Sequence, residues 1–417
     1  MPSKCPGTDE RMIGGRTIGR GASKTPLPER VVRYYSMKWF LREKSQDNRG
    51  IVSWREELCG DLGERRTIVY EVVFVEPRRV EIREVPIPKP GPGEVLLKIL
   101  YSGISHGTEM NWYRGTVPHR TKVIRDGLFV EEDTAPASYP NVQGYEEVGD
   151  VVAIGEGVHT VKLGERYATV CGHRQYALVD PTQAYFHRLP QNLDPKAGIF
   201  LALGGVAFDA LLSAGIRLGE SAAIFGQGVV GLLLTHLCRL AGVRPIIGID
   251  PLPSRLAESL RAGAHHTLTP DRPDLAQVIR AWTRGKGVDV AFEMSGSYQA
   301  LHQAFRVTAN PFGTVVAGGF YQGEAKGLNL GEEFHHSTHK AGGATRMIAL
   351  HERIESDTGP WGLRRVLETV WRLIVESALP VEGLITHVVP ATRADEAFRL
   401  IDEHPEQCLK VILDMQQ

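Results

Sequence analysis

Hydrophobic and polar residues alternate with a period of two in the first patterned part of the chain. The runs are IVYEVVFV from residue 68, VEIREVPI from residue 80 and EVLLKILYSGIS from residue 94, with two more over 146–154 and 165–171. Alternation of this kind, interrupted by Gly and Pro over 89–93, is typical of short strands joined by turns. It predicts a β-rich, barrel-like lobe.

The period changes near residue 197, where small residues and the Leu/Ala spacing of FLALGGVAFDALLSAG predict a helix. Strands and helices then alternate through SAAIFG, VVGLLLTHLCRLAG, PIIGID, SRLAESLRAG, VDVAFEMSG, QALHQAFRVT and GTVVAGG. This βαβα series predicts a parallel, doubly wound sheet. A helix over 363–377 and a strand-helix-strand unit ending in CLKVILDM follow.

The composition fits a globular protein of two domains. The chain has 417 residues, 42% of them hydrophobic and 23% charged, and a domain typically holds ~100 to 200 residues. The 48 Lys and Arg nearly balance the 49 Asp and Glu, so no basic field exists to hold a nucleic acid or an anionic membrane. A small molecule is therefore the expected partner.

Cysteine usage and hydropathy predict a cytoplasmic location. The five cysteines are odd in number, widely separated and form no Cys-x-x-Cys pair, which argues against a disulfide framework. No run in this pattern approaches the ~18 apolar residues of a membrane span, and the N-terminus lacks a secretory apolar segment. We therefore expect no membrane insertion.

Residues 1–66 differ from the rest in charge. They carry 14 Lys and Arg against 9 Asp and Glu. We expect a partly disordered N-terminal extension, or a start codon placed too far upstream. An interaction arm is the alternative.

A glycine-rich turn lies between the strand SAAIFG and the helix after it, which is the context of a dinucleotide-binding fingerprint. Its first glycine permits a sharp turn, its second lets the backbone approach a pyrophosphate, and its third allows close helix packing. The phosphates then face the positive end of the helix dipole. The turn consists of Gly226, Gln227, Gly228, Val229, Val230 and Gly231.

Asp250 ends the next strand, 19 residues after Gly231. A carboxylate at that place accepts hydrogen bonds from the adenosine ribose and repels a 2′-phosphate, so we expect NAD as the cofactor. Arg255 nearby is able to accommodate such a phosphate, which keeps NADP as the alternative. For Asp250 itself, a role as a helix cap or turn residue is the alternative.

Four blocks in order resemble the medium-chain dehydrogenase/reductase superfamily, the alcohol dehydrogenase-like proteins. The blocks are PIPKPGPGEVLLKILYSGIS, YPNVQGYEEVGDVVAIGEGVHTVKLGERY, the glycine turn and LPVEGLITHVVPATRADEAFRLIDEHPEQCLKVIL. The resemblance implies an α/β protein with a GroES-like catalytic lobe over 67–197 and 341–417 and a Rossmann domain over 198–340. It also implies a substrate held between the lobes, and a homodimer or homotetramer.

Two blocks depart from the zinc-dependent members of that superfamily. Those members place a cysteine ligand in the block corresponding to SGISHGTEM, where this chain has Ser105 and His106. Their histidine ligand lies in Gly-His-Glu, which reads Gly-Tyr145-Glu146 here. Hydroxyls are poor zinc ligands, so we expect no catalytic zinc; a zinc bound by His106, Glu146 or Glu109 is the alternative.

The structural zinc of the superfamily is not expected either, because no cysteine lies between Cys59 and Cys171. The SGIS-x-GTE and GYE pair is similar to a branch that includes bacteriochlorophyllide dehydrogenase and related secondary-metabolite or sugar oxidoreductases. That narrower resemblance implies chemistry at a secondary alcohol on a cyclic or bulky substrate.

Hydride transfer without zinc needs another group to handle the hydroxyl proton and the developing oxyanion. Tyr145 is the first candidate, as an acid/base if its neighbours lower its pKa; a buried hydroxyl bonded to a backbone carbonyl is the alternative. His106, which ordinarily titrates near neutrality, is a candidate proton relay, or else a solvated loop residue. Ser105 and Thr108 supply further hydroxyls.

Glu109 or Glu146 is expected to orient Tyr145 or His106, with a purely structural acceptor role as the alternative. Cys171 and His173 receive no role.

Three functions remain open. The first is an NAD(P)-dependent, metal-free alcohol dehydrogenase or ketone reductase acting on a polyol, cyclitol or other ring-bearing secondary alcohol. The second is a zinc-independent reductase of carbon-carbon double bonds, of the enoyl or quinone type. The third is a nucleotide-binding protein without turnover.

Overall fold

The computed structural model describes residues 68–118, 121–126, 128–131, 139–309, 312–336, 345–350 and 360–417. The N-terminal extension predicted over 1–66 lies outside these residues.

The β-rich part contains one large sheet in which strands from both ends of the described chain meet. The strand order is β16-β17-β3-β6-β7-β9, and β8 also pairs with β3. The C-terminal strand β17 runs antiparallel to β3, so it lies beside the strand that leads into the SGISHGTE block. The strands are β3 (Val95–Gly103), β6 (Glu147–Ile154), β7 (Arg166–Thr169), β8 (Tyr176–Val179), β9 (His187–Arg188), β16 (Ile385–Pro390) and β17 (Lys410–Asp414).

Two hairpins and two helices complete this part. The helix α8 packs against β2 and β17, and its fully buried Phe398 contacts the Phe74 ring of β1 at a centroid distance of 5.0 Å. Apolar burial of this kind is the main stabilising contribution to the lobe. The elements are β1 (Ile68–Glu76), β2 (Arg79–Pro86), β4 (Lys122–Arg125), β5 (Leu128–Glu131), α1 (Thr108–Arg114) and α8 (Ala394–Glu403).

The second part is a six-stranded sheet, all parallel, among the described residues. Its order, β12-β11-β10-β13-β14-β15, reverses direction between β10 and β13, the switch point at which doubly wound sheets bind ligands. Every residue of β10, β11 and β13 is buried, as expected for strands covered on both faces. The strands are β10 (Ala222–Phe225), β11 (Ile246–Ile249), β12 (His266–Leu268), β13 (Val290–Glu293), β14 (Thr314–Ala317) and β15 (Arg346–Ala349).

Six helices of the described chain accompany this sheet. Helix α2 packs against α3 and α7, and the glycines Gly204 and Gly205 make that contact close: an added Cβ would lie 2.5 Å from Val370 and 2.9 Å from Leu367. The helices are α2 (Phe200–Ala214), α3 (Val229–Leu240), α4 (Pro253–Ala262), α5 (Leu275–Trp282), α6 (Tyr298–Val307) and α7 (Leu363–Val375).

The fold class is the predicted one, and two details differ. Strand β15 pairs with β14, so the parallel sheet extends to Ala349, beyond the boundary expected at residue 340. The expectation that no apolar run reaches membrane-spanning length is wrong. The helical segment Pro195–Ala214 has the length and composition to span a membrane, but most of it is buried inside the fold, as in a core helix.

Candidate active site

The glycine turn lies between β10 and α3, at the carboxyl end of the parallel sheet. Gly226 has a φ of +87°, a left-handed conformation that favours glycine. A Cβ on Gly231 would lie 1.8 Å from the Gly226 carbonyl oxygen, so only glycine fits there. A Cβ on Gly228 would meet nothing within 4 Å, and Gly228 gives α3 no side-chain cap. The first N–H groups of α3, at Val229 and Val230, thus follow a turn that has open space beside Gly228. Such a helix N-terminus is suited to bind an anion.

Asp250 fastens this turn to the end of β11. Its Oδ2 accepts a hydrogen bond from the Gln227 backbone N at 2.7 Å, and its Oδ1 accepts one from the Leu252 N at 2.9 Å. The carboxylate is 2% exposed. The predicted ribose contact of Asp250 stays a prediction, and the hydrogen bonds add a structural role.

The Gln227 side chain faces the protein interior. Its Nε2 donates to the Ile224 carbonyl at 3.0 Å, and its Oε1 accepts from the Thr235 hydroxyl at 3.1 Å. Its backbone N–H is bonded to Asp250 and its side chain is fully buried, so Gln227 shapes the turn. Its predicted contact with the cofactor stays a prediction.

Arg255 links the two parts of the protein. Its Nη2 donates to the Pro405 carbonyl at 3.2 Å, and its Nη1 lies 3.9 Å from Asp250 Oδ2. Arg255 lies in the first turn of α4, so it links the start of this helix to the turn before β17. Its positive charge adds to burial in lowering the pKa of His106. Binding of a 2′-phosphate by Arg255 stays a prediction.

Tyr145 and Ser105 meet at the centre of the catalytic candidates. The Tyr145 hydroxyl donates to Ser105 Oγ at 2.6 Å, and the Thr108 hydroxyl is also within hydrogen-bonding reach of Tyr145. Burial raises the pKa of Tyr145, and the nearby charges of Glu146 and Glu109 raise it further. The condition stated for acid/base action, a pKa lowered by the neighbouring groups, is therefore not met, although the Ser105 and Thr108 hydroxyls act in the lowering direction. The phenol keeps its proton and is suited to donate a hydrogen bond.

Glu109 and His173 form a fully buried pair under this hydroxyl cluster. Glu109 Oε1 accepts from the Ser105 backbone N at 3.2 Å, and its Oε2 lies 2.7 Å from His173 Nε2. On the other side of the ring, His173 Nδ1 lies 2.7 Å from Ser102 Oγ, which donates to Glu147 Oε1 at 2.9 Å. Glu109 therefore contacts neither Tyr145 nor His106 through a hydrogen bond described here, contrary to expectation.

Glu146 forms a second buried pair, with Lys410. The Lys410 ammonium donates to Glu146 Oε2 and, at 2.8 Å, to the Ile104 carbonyl. Burial raises the pKa of Glu146 to about 7, although Lys410 opposes the rise. Of the two roles considered for Glu146, the hydrogen bond from Lys410 is that of a structural acceptor, and a role in orienting Tyr145 or His106 stays a prediction. Its Oε1 is buried without a hydrogen-bond partner among the described residues.

His106 does not titrate near neutrality. Burial lowers its pKa to about 3, with Lys410 as the next cause, so the imidazole is neutral under ordinary conditions. Its Nε2 is buried and has no protein partner among the described residues. A relay role for His106 stays a prediction, now through a neutral ring.

The donors at this site do not match the ligand set of zinc. Zinc sites use three or four imidazole, thiolate or carboxylate ligands. Among the buried ligand atoms that the described residues bring to this site, His106 Nε2 and Glu146 Oε1 are without a hydrogen-bond partner, and the Lys410 ammonium beside Glu146 would repel a cation. In the described part of the chain, the group of three such residues with ligand atoms within 4.8 Å is elsewhere, at His302, Glu332 and Glu333.

Two buried partners, His173 and Lys410, were not expected from the sequence. His173 is 64 residues from Glu109, and Lys410 is 264 residues from Glu146. A lysine within the apolar run CLKVILDM was the available signal, because a buried lysine requires a partner. No comparable signal marked His173.

Comparison with known proteins matches both parts of the chain in the same order. The alcohol dehydrogenase GroES-like domain matches residues 91–208, and the zinc-binding dehydrogenase family matches residues 229–355. D-guloside 3-dehydrogenase of Escherichia coli (strain K12) is 28% identical over 343 residues, covering 76% of this chain and 92% of that protein. L-threonine 3-dehydrogenase of Pyrococcus furiosus is 30% identical over 274 residues, covering 58% of this chain and 73% of that protein.

Solved structures share the fold. A proposed zinc-binding dehydrogenase from Sinorhizobium meliloti 1021, bound to NADP, aligns with a TM-score of 0.67 at 23% identity. The alignment covers 84% of this chain and 100% of that one. At this identity the match shows the fold alone.

Proposed function

Because the chain belongs to the medium-chain dehydrogenase/reductase superfamily of alcohol dehydrogenase-like enzymes, we propose that it reduces a ketone with a nicotinamide cofactor and without zinc. Its relatives support an NAD(P)-dependent oxidoreductase of the alcohol dehydrogenase type. The observation that carries ketone reduction without zinc is the hydrogen bond of 2.6 Å between Tyr145 and Ser105, where zinc-dependent members have metal ligands.

The glycine turn supports binding of the dinucleotide. The space above Gly228 is open, and the N-terminus of α3 has no side-chain cap. A pyrophosphate fits such a place because the backbone can approach it and the helix dipole attracts its charge. When bound, the reduced nicotinamide supplies the hydride.

Tyr145 is the proposed proton donor to the carbonyl oxygen. A hydroxyl both donates and accepts, so Tyr145 is able to turn its proton to the substrate while accepting one from Ser105 or Thr108. Its raised pKa keeps it protonated until negative charge develops on the substrate oxygen. Thr108 is partly exposed and follows the exposed Gly107, which provides a route for proton exchange with water.

The charged groups favour this scheme over metal chemistry. Both oxygens of Glu109 accept or face hydrogen-bond donors, and Glu146 is paired through Oε2 with the Lys410 ammonium, whose charge opposes a cation beside it. Donors aimed at a developing oxyanion in a buried site perform the stabilisation that a metal ion otherwise supplies.

A ring-bearing secondary alcohol is the proposed product. A relative named D-guloside 3-dehydrogenase, whose name gives a sugar derivative as substrate, supports this class. Asp250 beside the turn supports NAD over NADP, since its charge disfavours a 2′-phosphate.

The test is a screen of NADH and NADPH oxidation with cyclic ketones, keto-sugars, straight-chain ketones, enones and quinones. We expect turnover with cyclic ketones or keto-sugars, and a preference for NADH. Turnover with enones or quinones alone would contradict the proposal and identify a double-bond reductase.

A further inference from the structure

His173 is a fully buried titratable group near Tyr145, the proposed proton donor, and it has no role in the proposed proton transfer. It lies between β7 and β8 and is fully buried. Burial by itself lowers the pKa of His173, but the hydrogen-bonded Glu109 carboxylate outweighs burial, with help from Glu147 and Glu146, and raises this pKa above its usual value. A charged imidazole at this place needs acceptors at both ring nitrogens.

Both acceptors are present. The ring nitrogen Nε2 faces Glu109 Oε2 at 2.7 Å, and Nδ1 faces Ser102 Oγ at 2.7 Å. The Ser102 hydroxyl in turn donates to Glu147 Oε1, and Glu147 Oε2 accepts from the Cys171 backbone N at 2.9 Å. The hydrogen bonds of this buried network are therefore all formed when His173 carries a proton on each ring nitrogen.

His173 connects the two chain segments that hold the donor pair. Its backbone N donates to the Gln143 carbonyl at 2.8 Å, two residues before Tyr145. Its ring bonds Glu109, which in turn accepts from the Ser105 backbone. One residue thus fastens the segment that carries Tyr145 and the segment that carries Ser105.

Gly144 shows how closely His173 packs against the segment of Tyr145. A Cβ on Gly144 would lie 2.8 Å from His173 N and 2.9 Å from His173 Nδ1, and its φ is +117°. His173 therefore packs directly against the residue that precedes Tyr145.

Ser102, His173 and Glu109 have the connectivity of a nucleophile-base-acid triad, but that role does not fit. All three side chains are fully buried, and the Ser102 hydroxyl donates to Glu147. No substrate reaches a hydroxyl in this position, so the unit supports its neighbours.

We propose that His173, bridging Glu109 and Ser102, is a positioning residue that fixes the Tyr145 hydroxyl against Ser105 for proton donation. The inference rests on the proposed function in assigning the proton to Tyr145. Its geometric part, the imidazole setting the position of the phenol, stands independently of turnover.

A double-mutant cycle tests the link between His173 and Tyr145. His173→Gln keeps a side-chain nitrogen that donates hydrogen bonds, whereas His173→Leu keeps none. We expect His173→Gln to lower kcat roughly 100-fold by misplacing the donor, with the NADH Kd unchanged, and His173→Leu to lower it further. In a Tyr145→Phe background, His173→Gln should cause no additional loss, because the group it positions is gone. Wild-type kcat in His173→Gln, or losses that multiply in the double variant, would overturn the inference.

A spectroscopic readout separates this inference from the proposed function. In protein labelled with 13C at the tyrosine Cζ, His173→Gln should shift the Tyr145 signal, assigned by its loss in Tyr145→Phe. The matched control is His187→Gln, at a partly buried histidine whose Nε2 bonds the Ala184 carbonyl at 2.8 Å, and it should leave that signal in place. An unmoved signal in His173→Gln overturns the inference even if ketone reduction is observed. If the signal moves in His173→Gln but Tyr145→Phe retains full turnover, positioning by His173 is supported and only the proton-donor role of Tyr145 is refuted.

Discussion

At the scale of single residues, Tyr145 is held as a proton donor by its surroundings. Burial and two nearby carboxylates disfavour the phenolate, and hydroxyls of Ser105 and Thr108 only partly offset them. A neutral phenol hydrogen-bonded to a carbonyl oxygen stabilises the charge that develops as hydride arrives. The sequence identified these residues but not the sign of the pKa shift, which depends on burial and on Glu109 and Glu146.

Removal of the Tyr145 hydroxyl should therefore affect chemistry and not cofactor binding. We predict that Tyr145→Phe lowers kcat for ketone reduction by about 10²-fold to 10⁴-fold, the usual contribution of a positioned acid. NADH affinity, measured by fluorescence titration, should be unchanged. The control is Tyr176→Phe, a change on strand β8 outside the hydroxyl cluster, which should keep wild-type kcat. Full turnover by Tyr145→Phe would remove this residue from the mechanism.

Glu146 should make the free energy of unfolding decrease as the pH rises, which is the opposite of the usual effect of a carboxyl group. Its pKa is raised from 4.5 to about 7, so between these values the folded protein holds a proton that the unfolded chain has released. The contribution of this group to the free energy of unfolding is present below its unfolded pKa. It is lost as the pH rises through the folded pKa.

Urea unfolding at about pH 5 and about pH 8 measures this effect, because Glu146→Gln removes the proton linkage. We predict that the wild type loses more stability than Glu146→Gln between the two conditions. Glu324→Gln, at a glutamate that is 86% exposed, should follow the wild type. Identical pH dependence of the wild type and Glu146→Gln would show that Glu146 titrates normally.

At the scale of elements, the β10–α3 turn contains two glycines, Gly228 and Gly231, for which glycine is favoured for different physical reasons. Gly231 is required by the fold, since its Cβ would lie 1.8 Å from a backbone oxygen. Gly228 has an extended backbone, with φ −70° and ψ −172°, and open space around it. The fold alone therefore does not require glycine at position 228, whereas a closely approaching ligand would.

Alanine substitutions at these two glycines form a matched pair of variants. We predict that Gly228→Ala keeps the wild-type Tm but weakens NADH binding roughly tenfold or more, because its methyl group occupies the place of the pyrophosphate. Gly231→Ala should lower the free energy of unfolding by about 1–3 kcal/mol through overpacking. Thermal unfolding and calorimetric titration distinguish them. Unchanged NADH affinity in Gly228→Ala would place the cofactor elsewhere.

The elements that the sequence predicted are those with a local signal. The runs that alternate with a period of two form β1, β2 and β3, and the segments whose apolar residues have helical spacing form α2, α3 and α7. The short elements β12, α5 and β15 were missed, because three to eight residues carry too little periodicity to stand out. Helix α1 was also missed, since its seven residues, TEMNWYR, overlap the block analysed for its chemistry.

At the scale of the whole molecule, the site depends on contacts between distant parts of the chain. Lys410 comes from the C-terminal strand β17, and Arg255 in the first turn of α4 bonds a carbonyl in the turn before β17. Pairings of this kind follow from the packing of the sheet, which sequence spacing does not encode. The family motifs located the hydroxyls and the glycine turn, but the charged partners emerged only in three dimensions.

The most direct test of zinc-free ketone reduction is the rate of NADH oxidation with a cyclic ketone substrate after exhaustive chelation, with the metal content of the same sample determined. We predict substoichiometric zinc before treatment and an unchanged kcat after it. Loss of activity on chelation, restored by one Zn²⁺ per chain, would contradict it.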